Sequence, residues 1–280
     1  MAIRALARAK INLALHITGQ RADGFHTLDS LVAFADFGDM VSVAPSAAIE
    51  LMVTGPFADD LDNGPDNLVL RAARALDSGR SASISLEKKL PVASGIGGGS
   101  ANAAATLHAL SELWNLPLPP MEQILQLGAD LPVCLAGTPA RMTGIGDIVT
   151  PLAQPLPETW LVLVNCRQPV STPKVFQALA RRENDAMPAR IPDFADVHAL
   201  AAFLLAQRND LQQPAIQLCP DIAEILLRLQ RQTGCLLARM SGSGGTCFGI
   251  FDSAEMARFA GEGLQRYRSG WWIQTTRLVS

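Results

Sequence analysis

The sequence predicts an α+β protein, on three observations. Strand-like alternation crowds the first fifty residues. A glycine-rich loop stands between a predicted strand and a predicted helix. After a proline-rich break, strands and helices alternate again. Ile11, Leu13, Leu15 and Ile17 would share one face of the first strand, and strands over 30–37, 40–44 and 49–53 follow with short polar breaks. Residues 59–65 read as a loop from their turn residues. A helix fits 67–77, with Val69, Ala72, Ala73 and Leu76 at helical spacing and Asp66 as its N-cap. A strand fits 82–88. A helix over 100–114 would bury Ala103, Leu107, Leu110 and Trp114, and another fits 121–128. The prolines of 151–157 mark a boundary that divides an N-terminal domain, 1–152, from a C-terminal domain, 153–280. Beyond it the pattern gives strands over 160–165, 236–240, 246–251 and 271–278, and helices over 174–182, 197–207, 221–233 and 254–267. These could form a split sandwich, but the pattern alone does not set the topology.

Composition excludes several functions. With 280 residues, 49% of them hydrophobic, the chain has ample material for a core. A net charge of −3 lacks the field of a general nucleic-acid binder. Cys134, Cys166, Cys219, Cys235 and Cys247 form no CxxC pair, which argues against a zinc site or a disulfide framework and for small buried hydrophobes in a reducing cytosol. The longest uncharged run, 90–111, carries Pro91, four glycines and Asn102, so a membrane span is not expected there. The arginines and alanines of 1–10 have a transit-peptide flavour but lead directly into the first strand. A cytoplasmic protein with no membrane partner is the expectation.

The strongest chemical signal is Pro91-Val92-Ala93-Ser94-Gly95-Ile96-Gly97-Gly98-Gly99-Ser100-Ala101. Glycines let backbone N–H groups converge on one point, and a helix N-terminus adds positive potential there. Both suit a polyphosphate. No Lys follows the glycines, so this is not a Walker A loop, and Ser100 stands where a dinucleotide fingerprint needs glycine. A second glycine loop, Ser241-Gly242-Ser243-Gly244-Gly245, is by itself most simply a hairpin turn, and Gly144-Ile145-Gly146-Asp147 a turn.

Together these regions resemble the GHMP kinase superfamily, whose phosphate loop reads Pro-x-x-x-Gly-Leu/Ile-Gly-Gly-Ser-x-Ala. Gly99 is an extra glycine before Ser100. That feature, with Ala9-Lys10-Ile11-Asn12-Leu13, the segment from Gly19 through Gly24-Phe25-His26 to Leu28, Leu127-Gly128-Ala129-Asp130-Leu131-Pro132, Arg208-Asn209-Asp210-Leu211 and 240–248, is similar to one branch of that superfamily. The branch phosphorylates the 2-hydroxyl of a cytidylated methylerythritol in non-mevalonate isoprenoid synthesis. Phe25 departs from its usual tyrosine and Gly245 from its usual alanine.

The resemblance implies a ribosomal protein S5 domain 2-like N-terminal domain and a ferredoxin-like C-terminal domain. It implies Lys10 and Asp130 as the catalytic pair, Asp130 taking the hydroxyl proton and Lys10 holding Asp130 ionised. It assigns ATP to residues 91–101, with Asn67 and Lys88 on the adenine side. Phe25, His26 and Phe176 would hold the cytosine, and Asn12 and Thr172 would contact the acceptor. Mg²⁺ is expected with ATP; its protein ligand is unassigned, Ser100 being either a ligand or the helix N-cap. A monomer or weak homodimer is expected, with a small-molecule substrate and no nucleic-acid partner. The rival readings are another GHMP-type metabolite kinase, against which Gly99 and the His26 region argue, and a catalytically silent nucleotide-binding regulator, against which Lys10 and Asp130 argue.

Overall fold

The computed structural model describes residues 2–77 and 79–279. Contact density divides them into two compact units, one of residues 1–10, 37–92 and 97–137, the other of 11–36, 93–96 and 138–280.

Two long strands, β1 (Ile3–Gln20) and β2 (His26–Pro45), pair with each other and contribute to both units. The sequence pattern breaks β2 in two at Gly38-Asp39, yet the strand is continuous. A Cβ on Gly38 would lie 2.0 Å from the Ala7 carbonyl oxygen, so glycine there serves close strand approach rather than a turn. Asp39 is fully buried and accepts from Lys88 Nζ at 2.6 Å and from the Lys89 and Leu90 N–H groups. Turn-type residues are therefore used inside a strand.

In the first unit, β3 (Glu50–Thr54) runs parallel to β4 (Ala82–Glu87), which pairs antiparallel with the end of β2. The helices α1 (Leu68–Leu76) and α2 (Gly98–Trp114) cover this sheet, and α3 (Met121–Leu127) and α4 (Leu131–Ala136) follow. The core joins Val41, Val43, Ile84 and Leu86 to Val69, Ala101, Ala105, Leu110 and Trp114. Small residues dominate the α2 contribution, which lets that helix pack closely. The N-cap of α1 is Asn67, not Asp66: its side chain accepts from the Val69 N–H at 2.9 Å.

In the second unit, β5 (Ala140–Thr143) and β6 (Ile148–Pro151) form a hairpin on the first half of β2, turning at 144–147 as expected. Then come β7 (Trp160–Asn165), α5 (Thr172–Gln177), α6 (Val197–Leu205), α7 (Gln212–Leu218), α8 (Asp221–Gln230), β8 (Cys235–Met240), β9 (Thr246–Phe251), α9 (Ala254–Tyr267) and β10 (Trp272–Arg277). The sheet order β10-β7-β9-β8, antiparallel throughout, with helices before β8 and before β10, is the ferredoxin-like arrangement. Val162, Val164, Val175, Ile222, Ile225, Phe251 and Leu264 lie in its core. The helix expected over 174–182 is shorter and starts earlier, since Pro173 suits a first turn and Leu179 N–H turns back to the Phe176 carbonyl. No helix among the described residues is long and apolar enough to cross a membrane.

Candidate active site

The glycine-rich loop ends in the bare N-terminus of α2. Gly97, its N-cap, is left-handed at φ 65° and supplies no side chain, and the first turn holds no acidic residue. The Ala101 N–H is the first to find a carbonyl within the helix, that of Gly97, so the N–H groups of 98–100 point out of the helix end. The uncapped, unneutralised terminus of a 17-residue helix is suited to an anion. Ser100, in the third position of the helix, is therefore not its cap.

The four glycines are glycine for different reasons. At Gly95, φ is +74° and a Cβ would meet the Gly244 and Ser241 carbonyl oxygens at 2.5 and 2.6 Å. At Gly97, positive φ combines with a Cβ contact of 3.0 Å to Lys10. Gly98 and Gly99 have no such constraint: a Cβ would meet nothing nearer than Lys88 Nζ at 3.5 Å and Leu68 at 3.9 Å. Packing dictates the first pair; the second pair leaves open backbone. Ala93 adds a non-glycine residue at φ 51°, a strained conformation within the loop itself.

In the first unit, Lys10 Nζ and Asp130 Oδ2 are 2.7 Å apart, the lysine side chain buried and the aspartate 39% exposed. Asp130 stands at the N-terminal edge of α4 but caps nothing with its side chain, leaving the carboxylate to Lys10 and solvent. One turn on, Cys134 has its thiol pushed up to about 12, by burial first and then by the charge of Asp130, so it stays protonated and does not compete as a nucleophile.

In the second unit, Asn12 is buried on β1 and its amide orientation is fixed by a chain of donors. Ser30 Oγ donates to the Ala14 carbonyl at 2.7 Å, so it accepts from Asn12 Nδ2 at 2.8 Å. Asn12 Oδ1 is left buried and without a partner. His26 lies against Phe176, ring centroids 5.0 Å apart, with its Nε2 also buried and unpartnered. Burial, and then the Arg182 charge, hold the His26 pKa below the ordinary value, so the ring is neutral at pH 7. Phe25 is 61% exposed in the turn between β1 and β2 and touches neither ring in a stacked pair. Thr172 Oγ1, at the start of α5, is 2.6 Å from Ser243 Oγ of the second glycine loop.

Residues 67–152 match the model of the GHMP kinases N terminal domain, and 177–268 that of the GHMP kinases C terminal domain. The chain is 59% identical over 275 residues, 98% of its length and 99% of the relative's, to a 4-diphosphocytidyl-2-C-methyl-D-erythritol kinase of Cereibacter sphaeroides. It is 54% identical to one of Ruegeria pomeroyi over the whole of both chains. A crystal structure of 4-(cytidine 5'-diphospho)-2C-methyl-D-erythritol kinase superposes with a TM-score of 0.80 at 31% identity, covering 99% of this chain and 100% of the other. The chain belongs to the GHMP kinases. It is an ATP-dependent small-molecule kinase of that family.

In this GHMP kinase the two residues expected near adenine also make hydrogen bonds within the fold. Asn67 Oδ1 caps α1 and its Nδ2 donates to the Asp62 carbonyl at 2.6 Å. Lys88 Nζ is buried between Asp39 and the Leu90 carbonyl, where its pKa is lowered by burial against the opposing pull of Asp39. That pair anchors the strand end from which the loop departs. Ser241 and Asn209 lie in segments that carry the resemblance, but no role was expected of either. Asn209 Nδ2 donates to the Met240 and Gly242 carbonyls at 2.8 and 2.9 Å, holding the second glycine loop from below.

Proposed function

We propose that this kinase transfers the γ-phosphoryl group of ATP to the 2-hydroxyl of 4-diphosphocytidyl-2-C-methyl-D-erythritol, giving ADP and the 2-phosphate, a step of non-mevalonate isoprenoid precursor synthesis. The observation that carries the acceptor is the neutral His26 ring lying against Phe176, centroids 5.0 Å apart and tilted by 32°. A flat base takes the aromatic wall, and a ring nitrogen or the main chain reads its edge. The full-length similarity to kinases of that name supports the same acceptor. In this reading 1–152 and 153–280 are the two family domains.

The loop 91–101 binds the ATP phosphates through backbone N–H groups, with Gly98 and Gly99 open to their approach. Lys10 and Asn12 stand two apart on β1, so their side chains share a strand face. Asn12 Oδ1 accepts a hydrogen bond from an acceptor hydroxyl. Asp130 takes the proton of the attacking 2-hydroxyl as the new O–P bond forms and the bond from the γ-phosphorus to the ADP oxygen breaks. Lys10 orients Asp130 and the hydroxyl. The transition state is loose, so positioning and charge stabilisation carry most of the acceleration.

Mg²⁺ accompanies ATP, shielding the phosphate oxygens. Among the described residues no three His, Cys, Asp or Glu side chains cluster as a metal cage. The Ser100 hydroxyl, in the first turn of α2 and beside Gly128, would be the candidate protein oxygen for that ion.

ADP release, measured with the cytidylated acceptor present and absent and with homoserine and mevalonate as alternatives, tests the assignment. Turnover with the cytidylated acceptor alone is the expected result. Turnover with another acceptor, or ATP binding with no turnover at all, overturns it.

A further inference from the structure

Ser241 is fully buried, and its hydroxyl joins two parts of the second unit that the chemistry uses separately. Ser241 Oγ donates to the Gly95 carbonyl at 3.0 Å and accepts from the Asn12 N–H at 3.1 Å. One atom thus bridges the phosphate loop and the strand that contacts the acceptor. Its own backbone is fixed. Ser241 N–H donates to the Thr246 carbonyl, and its carbonyl accepts from Gly244 N–H. The carbonyls on either side, of Met240 and Gly242, are held by Asn209. Thr246 N–H in turn donates to the Ser94 carbonyl, and the left-handed Gly95 is seated directly on the Ser241 and Gly244 carbonyls. The second glycine loop is therefore a rigid seat for 94–95, not merely a hairpin turn.

We propose that Ser241 is a positioning residue that couples the phosphate loop to Asn12, so that nucleotide and acceptor each favour binding of the other. The acceptor half of this statement rests on the function proposed above. A ligand that settles the Gly95 carbonyl also settles the hydroxyl it accepts from, and through that oxygen the Asn12 N–H. Binding free energies are reciprocal, so the coupling acts equally in both directions. Serine suits the position because a hydroxyl donates and accepts at one atom. Alanine does neither, and leaves a buried N–H and a buried carbonyl without this partner.

The test uses the full chain with Ser241→Ala and Ser241→Thr. A non-hydrolysable ATP analogue should slow hydrogen exchange of the Asn12 amide in the wild-type protein by about tenfold, the scale of one buried hydrogen bond. Ser241→Thr, which retains the hydroxyl, should preserve that response, and Ser241→Ala should abolish it. The dissociation constant of the cytidylated acceptor should fall in the presence of the analogue for the wild type and not for Ser241→Ala. If Ser241→Ala does not fold, Ser241→Cys, with its weak thiol, takes its place and should show a reduced response. An analogue-dependent Asn12 protection that is the same in wild type and in the folded variant overturns the proposal, as does its absence in the wild type. If the wild type ignores the cytidylated acceptor, the proposed acceptor is wrong, while the exchange measurement still decides the coupling.

Discussion

Lys10 Nζ stands 2.7 Å from Asp130 Oδ2, the lysine buried and the aspartate open on one side. The buried partner is the fixed one: the Lys10 side chain also packs against Gly97, at the entry to α2. This geometry holds a carboxylate at a defined place while leaving it accessible. Asp130→Asn keeps the shape and loses the basic oxygen. Turnover should fall by roughly 10²–10⁴-fold, the range for a general base, with ATP affinity unchanged by calorimetry. Lys10→Met should also impair turnover, and the double variant should be little worse than the more damaged single, because the two act as a unit.

The glycines of the phosphate loop should separate by cause. Gly95→Ala places a Cβ 2.5 Å from the Gly244 carbonyl oxygen, so the thermal midpoint should fall along with activity. Gly98→Val meets only ordinary contacts at its Cβ, so the fold should survive while the ATP dissociation constant rises sharply. Calorimetry and circular dichroism on both variants check the contrast. Equal ATP affinity in Gly98→Val and wild type would remove that glycine from the site.

His26→Ala and Phe176→Ala should each raise the Michaelis constant for the acceptor and leave that for ATP unchanged. Cytidine nucleotides should compete with the acceptor. The His26 pKa lies below its ordinary value, so acceptor affinity should be flat above pH 6.5 and fall only at more acidic pH, as the ring gains its proton. Imidazole NMR signals followed against pH read that protonation directly.

His16 predicts a pH dependence of folding. Both ring nitrogens are used: Nε2 accepts from the Arg208 N–H at 3.2 Å and Nδ1 donates to the Asp185 carbonyl at 3.1 Å. Burial first, then the Arg208 charge, lower its pKa, against the opposing Asp185 carbonyl, Asp210 and Asp29. The unfolded chain therefore binds this proton more readily. Its contribution is complete above about pH 6.5 and is lost as pH falls through the folded value. Urea unfolding at pH 7.5 and 5.5 should show the loss, and His16→Gln should be less stable at pH 7.5 but less sensitive to acid.

The α1 cap offers a stability check. Asn67→Ala removes the bond to the Val69 N–H and should cost about 1 kcal/mol in denaturant unfolding. Asp66→Ala should cost much less, since the cap belongs to its neighbour.

The sequence by itself determined the element types and the chemistry of the loop. Long periodic segments such as 100–114 and 254–267 carry their helices in their own spacing, and the run from Pro91 to Ala101 fixes a flexible, anion-seeking turn wherever it is placed. Short elements such as α4, α7, β5 and β6 were not legible, because so few residues show little of a period and no strong start signal marks them, whereas the equally short α3 follows Pro119-Pro120. The break read at Gly38-Asp39 failed because local turn chemistry was overridden by a strand neighbour, Ala7, and a distant ion-pair partner, Lys88. Only tertiary structure decided that Lys10 meets Asp130, that Gly95 must be glycine while Gly98 need not be for packing, and that Ser241 joins Gly95 to Asn12. Local sequence sets dihedral preference and which face is apolar. Which polar atoms come within 3 Å is set by packing between segments far apart in the chain, and no periodicity records it.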